Sequence, residues 1–595
     1  MTSLTVKTFT GDAKTLIAFN LEQKDSLNLA GFTIQCQPEN NELYYLYNML
    51  QFEDPSVHAQ VATEPPKSSL NSPIQKFRWL HVPGLIHQQQ RVVYGKYTYT
   101  VTPRYFKDKV LLPIDRSMSV EAEAQVQPFS KGKIELGFTR GFTQSQAFIN
   151  HFGKNAKFKP DKAPLLFDPK MEAGVSNDGK KFTYEDEYNW SGFTAKTKIF
   201  GLLEEVINDK TLHLDMFAYD LSEPDILRLL LQLAKEHRIR LLLDNADLHH
   251  NENDPKPEDQ FEAEFKKAEN VPDEMSSIMR GNFDRYQHNK LLIVSKGEAK
   301  KPVKVLSGST NFSVTGIYAN SDHVVIFNDE DISRLYQQLF QAAWHAKLEV
   351  EPFLKTDFPT KEYSFTLDTI KMFFTFAPHD ETQALANLSK IAARVAAEKS
   401  SVLFAVMGTD AKTSGPVAPA LINLHNRTDI FTAGITDSVN SITLYKPSST
   451  TGIRVTGLPG KTILPPPFAE EKSIDVGHQV HHKFVVCGFN TPDAVVWYGS
   501  SNMAKLGEQQ NGDNLIEVHD QAIATVFALE ALALVDHFNF RDGHPAPKKT
   551  KGKTPAVVAA PKKLTPYTLH TDDIWAGSYF QPGDLYRVDR ELFSK

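Results

Sequence analysis

Cysteine is nearly missing from this 595-residue chain: Cys36 and Cys487 are the only two. That count excludes a disulfide framework and a cysteine-rich zinc site, so any chemistry rests on other side chains. A basic excess is lacking too. Against 65 Lys and Arg stand 72 Asp and Glu, a net charge of −7, which disfavours coating nucleic acid by bulk charge and requires any anion site to be built locally. The opening MTSLTVKTFTGDAKTL has no basic segment followed by a long apolar one, so no secretory signal is expected and the cytoplasm is the default compartment. Long hydrophobic runs are absent as well. The most apolar stretch, 522–535, carries Glu530 and is too short for a bilayer, which predicts a buried helix and no transmembrane segment. What remains is an ordinary globular mixture, 41% hydrophobic and 23% charged, long enough for about four structural units at ~150 residues each.

Up to about residue 190 the chain alternates in the strand period. Val120, Ala122, Ala124 and Val126 share one face and Glu121, Glu123 and Gln125 the other, and Tyr97, Tyr99 and Val101 repeat the pattern. Turn residues separate such runs, which predicts a β-sandwich of immunoglobulin-like type over 1–190. The segment 138–153 is aromatic and rich in small residues, as expected of interdomain packing. From Ser191 a helical stretch leads to TLHLDMFAYD, a helix around DILRLLLQLAKEH and the strand RIRLLLDN. The same order returns with a helix over 382–399, SSVLFAVMGTD, a helix over 416–426 and DIFTAGITD. Two α/β lobes, 191–355 and 356–540, are therefore expected from a duplication. Beyond them, 541–595 reads as a Pro/Ala/Lys linker and an aromatic tail that docks back.

Each lobe holds His-x-Lys, an apolar run and a Gly-Ser-x-Asn turn: His288 and Lys290 with Ser309 and Asn311, then His481 and Lys483 with Ser500 and Asn502. His288 follows Asp244 by 44 residues, and His481 follows Asp437 by the same 44. On a strand, positions i and i+2 project to one face, so each histidine and lysine can point together and the turn can return Ser and Asn beside them. Asp322 and Asp513 lie 11 residues past Asn311 and Asn502, each opening an apolar strand. Such a carboxylate can accept the proton of one ring nitrogen and leave the other as a neutral nucleophile or base. Glu517 is the nearest rival in the second lobe, but its counterpart in the first is Ile326.

Across 191–540 these paired sets resemble the phospholipase D superfamily. Its spaced aspartate is not kept: Ser295 and Gly488 stand five residues past the lysines, a structural variation in the hairpin. The resemblance implies one metal-independent site between two lobes, with Lys290, Lys483, Asn311 and Asn502 neutralising phosphoryl oxygens and Ser309 and Ser500 adding hydroxyl donors. It further implies a phosphohistidine on His288 and acid–base work by His481.

The resulting expectation is a phosphodiesterase without cofactor, acting on a phospholipid with peripheral membrane contact. A nuclease on DNA or RNA, or an interaction protein with a degenerate core, are the alternatives. Arg280 and Arg285 are candidates to steer an anionic substrate. GLPGKT at 457–462 fails the phosphate-loop pattern because Val455 stands where a glycine is needed, and reads as a Pro-rich active-site loop. His249 and His250 follow a strand end and are expected at a rim, not on a metal.

Overall fold

A computed structural model describes residues 3–84, 92–141, 145–153, 156–408, 415–438, 441–449, 452–455, 479–542 and 567–594. The N-terminal region is rich in sheet. Thr5–Thr10, Thr15–Asn20 and Arg78–His81 form one sheet, and a second is built on Leu29–Pro38 and Gly95–Lys107. Ile17 and Phe19 of the first share an apolar cluster with Phe32, Ile34, Tyr97 and Tyr99 of the second. The alternation read from the sequence appears as register, with Tyr99 opposite Ala122 and Val101 opposite Val120.

The first large sheet comprises β1 (Ser130–Lys131), β2 (Ile134–Phe138), β3 (Leu212–Ala218), β4 (Ile239–Leu243), β5 (Ile278–Arg280), β6 (Leu291–Lys296), β7 (Lys301–Gly308) and β8 (His323–Phe327), in the order β5-β4-β3-β6-β7-β8-β2-β1. The expected boundary at 190 is crossed, because β2 pairs with β8 from Ile134 opposite Phe327 to Phe138 opposite His323. Its apolar face joins the core of that sheet, with Ile134, Leu136 and Phe138 wholly buried.

The second large sheet holds β9 (Tyr363–Leu367), β10 (Ile370–Phe376), β11 (Ser401–Val406), β12 (Phe431–Ser438), β13 (Ser441–Tyr445), β14 (Ile453–Val455), β15 (Lys483–Cys487), β16 (Val495–Gly499) and β17 (Asn514–His519). Their order is β9-β10-β17-β16-β15-β11-β12-β13-β14. From β4 through β3, β6, β7, β8 and β2 to β1, each strand has a counterpart in β12, β11, β15, β16, β17, β10 and β9, with the same pairing sense at every step. Residues 291–295 and 483–487 are wholly buried. Both faces of these strands are covered, which is why they read as continuous apolar runs and not as alternation.

The expected buried helix spans Gln521–Asp542, longer than the apolar stretch suggested. Its residues Gln521–Asn539 are long and apolar enough to cross a bilayer, yet 72% of their most apolar window is buried within the protein. Phe527 touches Phe138 and Tyr498, one from each large sheet. The aromatic tail docks on the N-terminal sheets: Trp575 Nε1 donates to Leu29 O at 3.0 Å and Tyr579 packs on Phe77. Most of the linker, 543–566, lies outside the described residues.

Candidate active site

Two aspartates hang the histidine segments in place. Asp244, just past β4, accepts from Gln287 N at 2.6 Å, and Asp437 in β12 accepts from Gln479 N and from Val480 N at 2.9 Å. The equal 44-residue spacing thus has a structural origin. Each segment is then laced to the chain around the other large sheet. Tyr286–Gln287 pairs with Asn511–Gly512 and His288 N donates to Gly512 O at 2.9 Å, while Ser321 bridges Val480 and His481 N donates to Ser321 O at 3.1 Å.

This lacing crosses the carboxylates. His288 Nδ1 lies 2.8 Å from Asp513 Oδ1, and His481 Nδ1 lies 2.9 Å from Asp322 Oδ1. Where the carboxylate is ionised it only accepts, so Nδ1 donates and the Nε2 of a neutral ring keeps its lone pair. Each aspartate oxygen also accepts a hydroxyl, from Ser500 at 2.8 Å and Ser309 at 2.6 Å. That corrects the expectation that these serines face the phosphoryl group: a nearby carboxylate is the stronger acceptor and takes their protons. The turns need their glycines, since a Cβ on Gly308 would stand 2.2 Å from His323 O and one on Gly499 2.4 Å from Asn514 O, both at positive φ.

Lys290 and Lys483 are buried, and each donates to the carbonyl of its own histidine. Lys290 Nζ also sits 4.7 Å from the centroid of Tyr219, whose ring meets His288 edge-on at 4.7 Å. Burial, with Lys483 beside it, brings Lys290 down to about 7, and burial brings Lys483 down to about 8. Burial, then Lys290, pushes His288 down to about 4, so it is neutral near pH 7. The Oδ1 atoms of Asn311 and Asn502 are buried without a partner among the described residues. Two buried lysines therefore stand beside a neutral His288 and a second imidazole, a set suited to an anion with oxygens on several sides.

The carboxylates differ. Asp513 Oδ2 accepts from Asn511 at 3.1 Å, whereas Asp322 Oδ2 has no partner among the described residues. Burial raises Asp322 to about 7; at Asp513 burial acts the same way but His288, Lys290 and the Ser500 hydroxyl together outweigh it, leaving its carboxyl below the ordinary range.

Behind the histidines lie residues that motif spacing did not reveal. Asn514 donates to Asn289 Oδ1 at 2.9 Å on one side. On the other, His323 and His482 bring their Nδ1 atoms within 3.2 Å, and Glu530, 3.6 Å from His482, is paired with Lys14. The doubled His481-His482 and the Asp322-His323 step were the only sequence signals of this network.

Other expected residues fall elsewhere. Arg280 donates to His249 O at 2.8 Å and faces Asp259 and Glu262, so it braces a loop. Arg285 stacks on Tyr286 at 4.9 Å. His249 is buried, contrary to a rim position, because Glu258 stands 3.3 Å from its Nδ1; Asp220, His249 and Glu258 offer ligand atoms within 4.8 Å of one another. Glu517 binds Trp497 and His519, away from the histidines. Ser295 lies five strand residues beyond Lys290, roughly 16 Å at ~3.3 Å each, and Gly488 occupies the turn after β15 at φ 72°. The 457–462 loop lies outside the described residues.

Residues 203–344 match the family model described as cardiolipin synthase, PLD-like domain. The chain carries a phospholipase D-like domain, and the matched stretch contains the first His-x-Lys and Gly-Ser-x-Asn set. No curated protein matches the chain. Among solved structures it is similar to polyphosphate kinase from Porphyromonas gingivalis (12% identity, TM-score 0.37, covering 69% of this chain and 54% of the kinase), so it spans about half of that protein. It is also similar to phosphatidylserine synthase from Haemophilus influenzae (10%, 0.38, 57% and 84%) and to the phospholipase D family member Nuc from Salmonella typhimurium (19%, 0.20, 26% and 88%).

Proposed function

We propose that the protein is a metal-independent phosphodiesterase that cleaves a phospholipid at one site shared by two lobes, which we read as copies of one unit. The observation that carries this reading is the crossed pairing of His288 with Asp513 and His481 with Asp322, beside two buried lysines. His288 Nε2 attacks phosphorus, and the bond to the leaving alkoxide breaks as that oxygen takes a proton from His481. Water, giving its proton to His481, then attacks the phosphohistidine and breaks the P–N bond. Lys290, Lys483, Asn311 and Asn502 hold the equatorial oxygens through both steps.

The carboxylate asymmetry supports this division of labour. An ionised Asp513 fixes one tautomer of His288 and suits a nucleophile, whereas Asp322, near neutrality at pH 7, lets the His481 pair take up and release a proton. The negative overall charge argues against nonspecific binding to nucleic acid. Headgroup release from mixed phospholipid vesicles, run beside single- and double-stranded DNA and RNA, tests the reading. Release abolished by His288→Ala is the expected result; cleavage of nucleic acid alone would make the protein a nuclease, and no turnover of any diester would leave an interaction protein.

A further inference from the structure

Away from the histidines, a cavity of about 310 Å³ lies between the N-terminal sheets and the first lobe. Its wall is mainly apolar and includes Leu46, Trp79, Val82, Trp190, Phe193 and Ala533. That volume is at the lower end of the roughly 300–1,000 Å³ of small-molecule pockets. None of the two histidines, lysines and asparagines of the candidate active site lines it. The nearest link is Thr139, a wall residue whose hydroxyl accepts from Asp322 N at 2.8 Å.

Lys14, Lys76, Asp536 and Arg140 interrupt the apolar wall, and of these Arg140 alone has no ion pair among the described residues. Arg140 is 6% exposed, and its Nε and one terminal nitrogen have no hydrogen-bond partner among the described residues. The other terminal nitrogen makes a single long contact, 3.4 Å, to Pro83 O. Buried guanidinium groups ordinarily meet a carboxylate in bidentate geometry. Here none is paired with it, and the group is held between two aromatic faces, Trp190 at 4.6 Å and Phe193 at 4.7 Å. Phe193 interrupts its helix at φ 44° and ψ −134°, a strained conformation of the sort found at ligand sites. Burial without a counter-charge lowers the guanidinium to about 10. Other cations on the wall are engaged: Lys14 with Glu530, and Lys76 within 4.0 Å of Asp536.

We infer that this cavity binds an anionic amphiphile, its single alkyl chain against the apolar wall and its carboxylate or phosphate head on the unpaired edge of Arg140. An anion supplies both the missing hydrogen-bond acceptor and the missing charge, and a planar two-oxygen edge matches the guanidinium fork. The chain displaces water from a surface that only apolar matter satisfies. This site is independent of the proposed cleavage reaction.

Calorimetry and tryptophan emission on the full chain test it, using monomeric dodecanoate, dodecyl phosphate, dodecanol and dodecyltrimethylammonium. Both anions should bind one to one, the tighter identifying the preferred head, and dodecanol and the cation should bind at least tenfold more weakly. Arg140→Gln should weaken the anions at least tenfold and bring them level with dodecanol. Ala147→Trp, which fills the cavity while keeping Arg140, should abolish binding and serves if the arginine variant does not fold. Failure of both anions to bind the wild type overturns the inference, as does dodecanol binding as tightly as dodecanoate or unchanged affinity in either variant.

Discussion

The two halves of the site present the same face and different backs. Each offers a histidine, a lysine, an asparagine and a serine-anchored aspartate. Behind His288 stand Asn289 and Asn514, amides that cannot titrate; in the corresponding places behind His481 stand His482 and His323, backed by Glu530 and Lys14. Burial, with His482 and Lys483 beside it, holds His323 well below the ordinary histidine range, so that ring is neutral. Lys14 and His482 outweigh burial to bring Glu530 down to about 2. What differs, then, is the kind of group behind each histidine: two amides on one side, two imidazoles with an ion pair on the other. On the proposed mechanism, the amide-backed half serves attack and the other serves proton exchange, with the paired histidine, lysine and asparagine alike in both.

The largest expected effect is loss of either histidine. His288→Ala and His481→Ala should each lower turnover by roughly 10⁴-fold or more, with the double variant little worse, because the two serve successive steps of one reaction. Substantial activity in either single variant would dissolve the two-histidine site. Next come the carboxylates. Asp513→Asn should cost roughly 10²-fold or more in kcat and Asp322→Asn less, since only Asp513 is firmly ionised; equal losses in steady-state kinetics would erase the asymmetry.

The lysines follow, at about 3 kcal/mol of transition-state stabilisation each, read as kcat/KM of the alanine variants. Their lowered values set a sign for pH dependence. A cation is present below its pKa, so kcat/KM should fall as pH rises through 7–8, and on the acid side as His288 gains a proton near 4. Lys290→Arg, which stays charged, should move the alkaline limb upward; an unmoved limb would assign it to another group.

Smaller still is the contribution of the backing residues. Replacing His323 and His482 together by Asn should copy the His288 side and cost about tenfold or less in kcat, read by steady-state kinetics. Excess chelator should leave turnover unaltered. If it does not, and one cation restores activity, the Asp220, His249 and Glu258 cluster becomes a metal site.

The paired half-sites were legible in the sequence because they are repeated. Motif spacing put His288, Lys290, His481 and Lys483 into one class, and the matched aspartates Asp244 and Asp437 proved to be the tethers of both segments. The crossing was not legible: which lobe's aspartate meets which histidine depends on strands laced between lobes, such as Tyr286–Gln287 against Asn511–Gly512. Nor was β2 legible as part of the first large sheet, since a strand of alternating residues announces its faces but not its neighbour. Lys14 and Arg140 escaped notice for a related reason. Single charges have no period, and their meaning comes from burial against partners distant in the chain, Glu530 for Lys14 and Trp190 and Phe193 for Arg140.

The division of roles between the histidines is tested most directly by trapping the intermediate. An aryl phosphodiester, whose leaving group needs no acid, should label His481→Ala with an acid-labile phosphate that peptide mass spectrometry places on His288, and should leave His288→Ala unlabelled. Phosphate found on His481, or label persisting after loss of His288, would contradict the assignment.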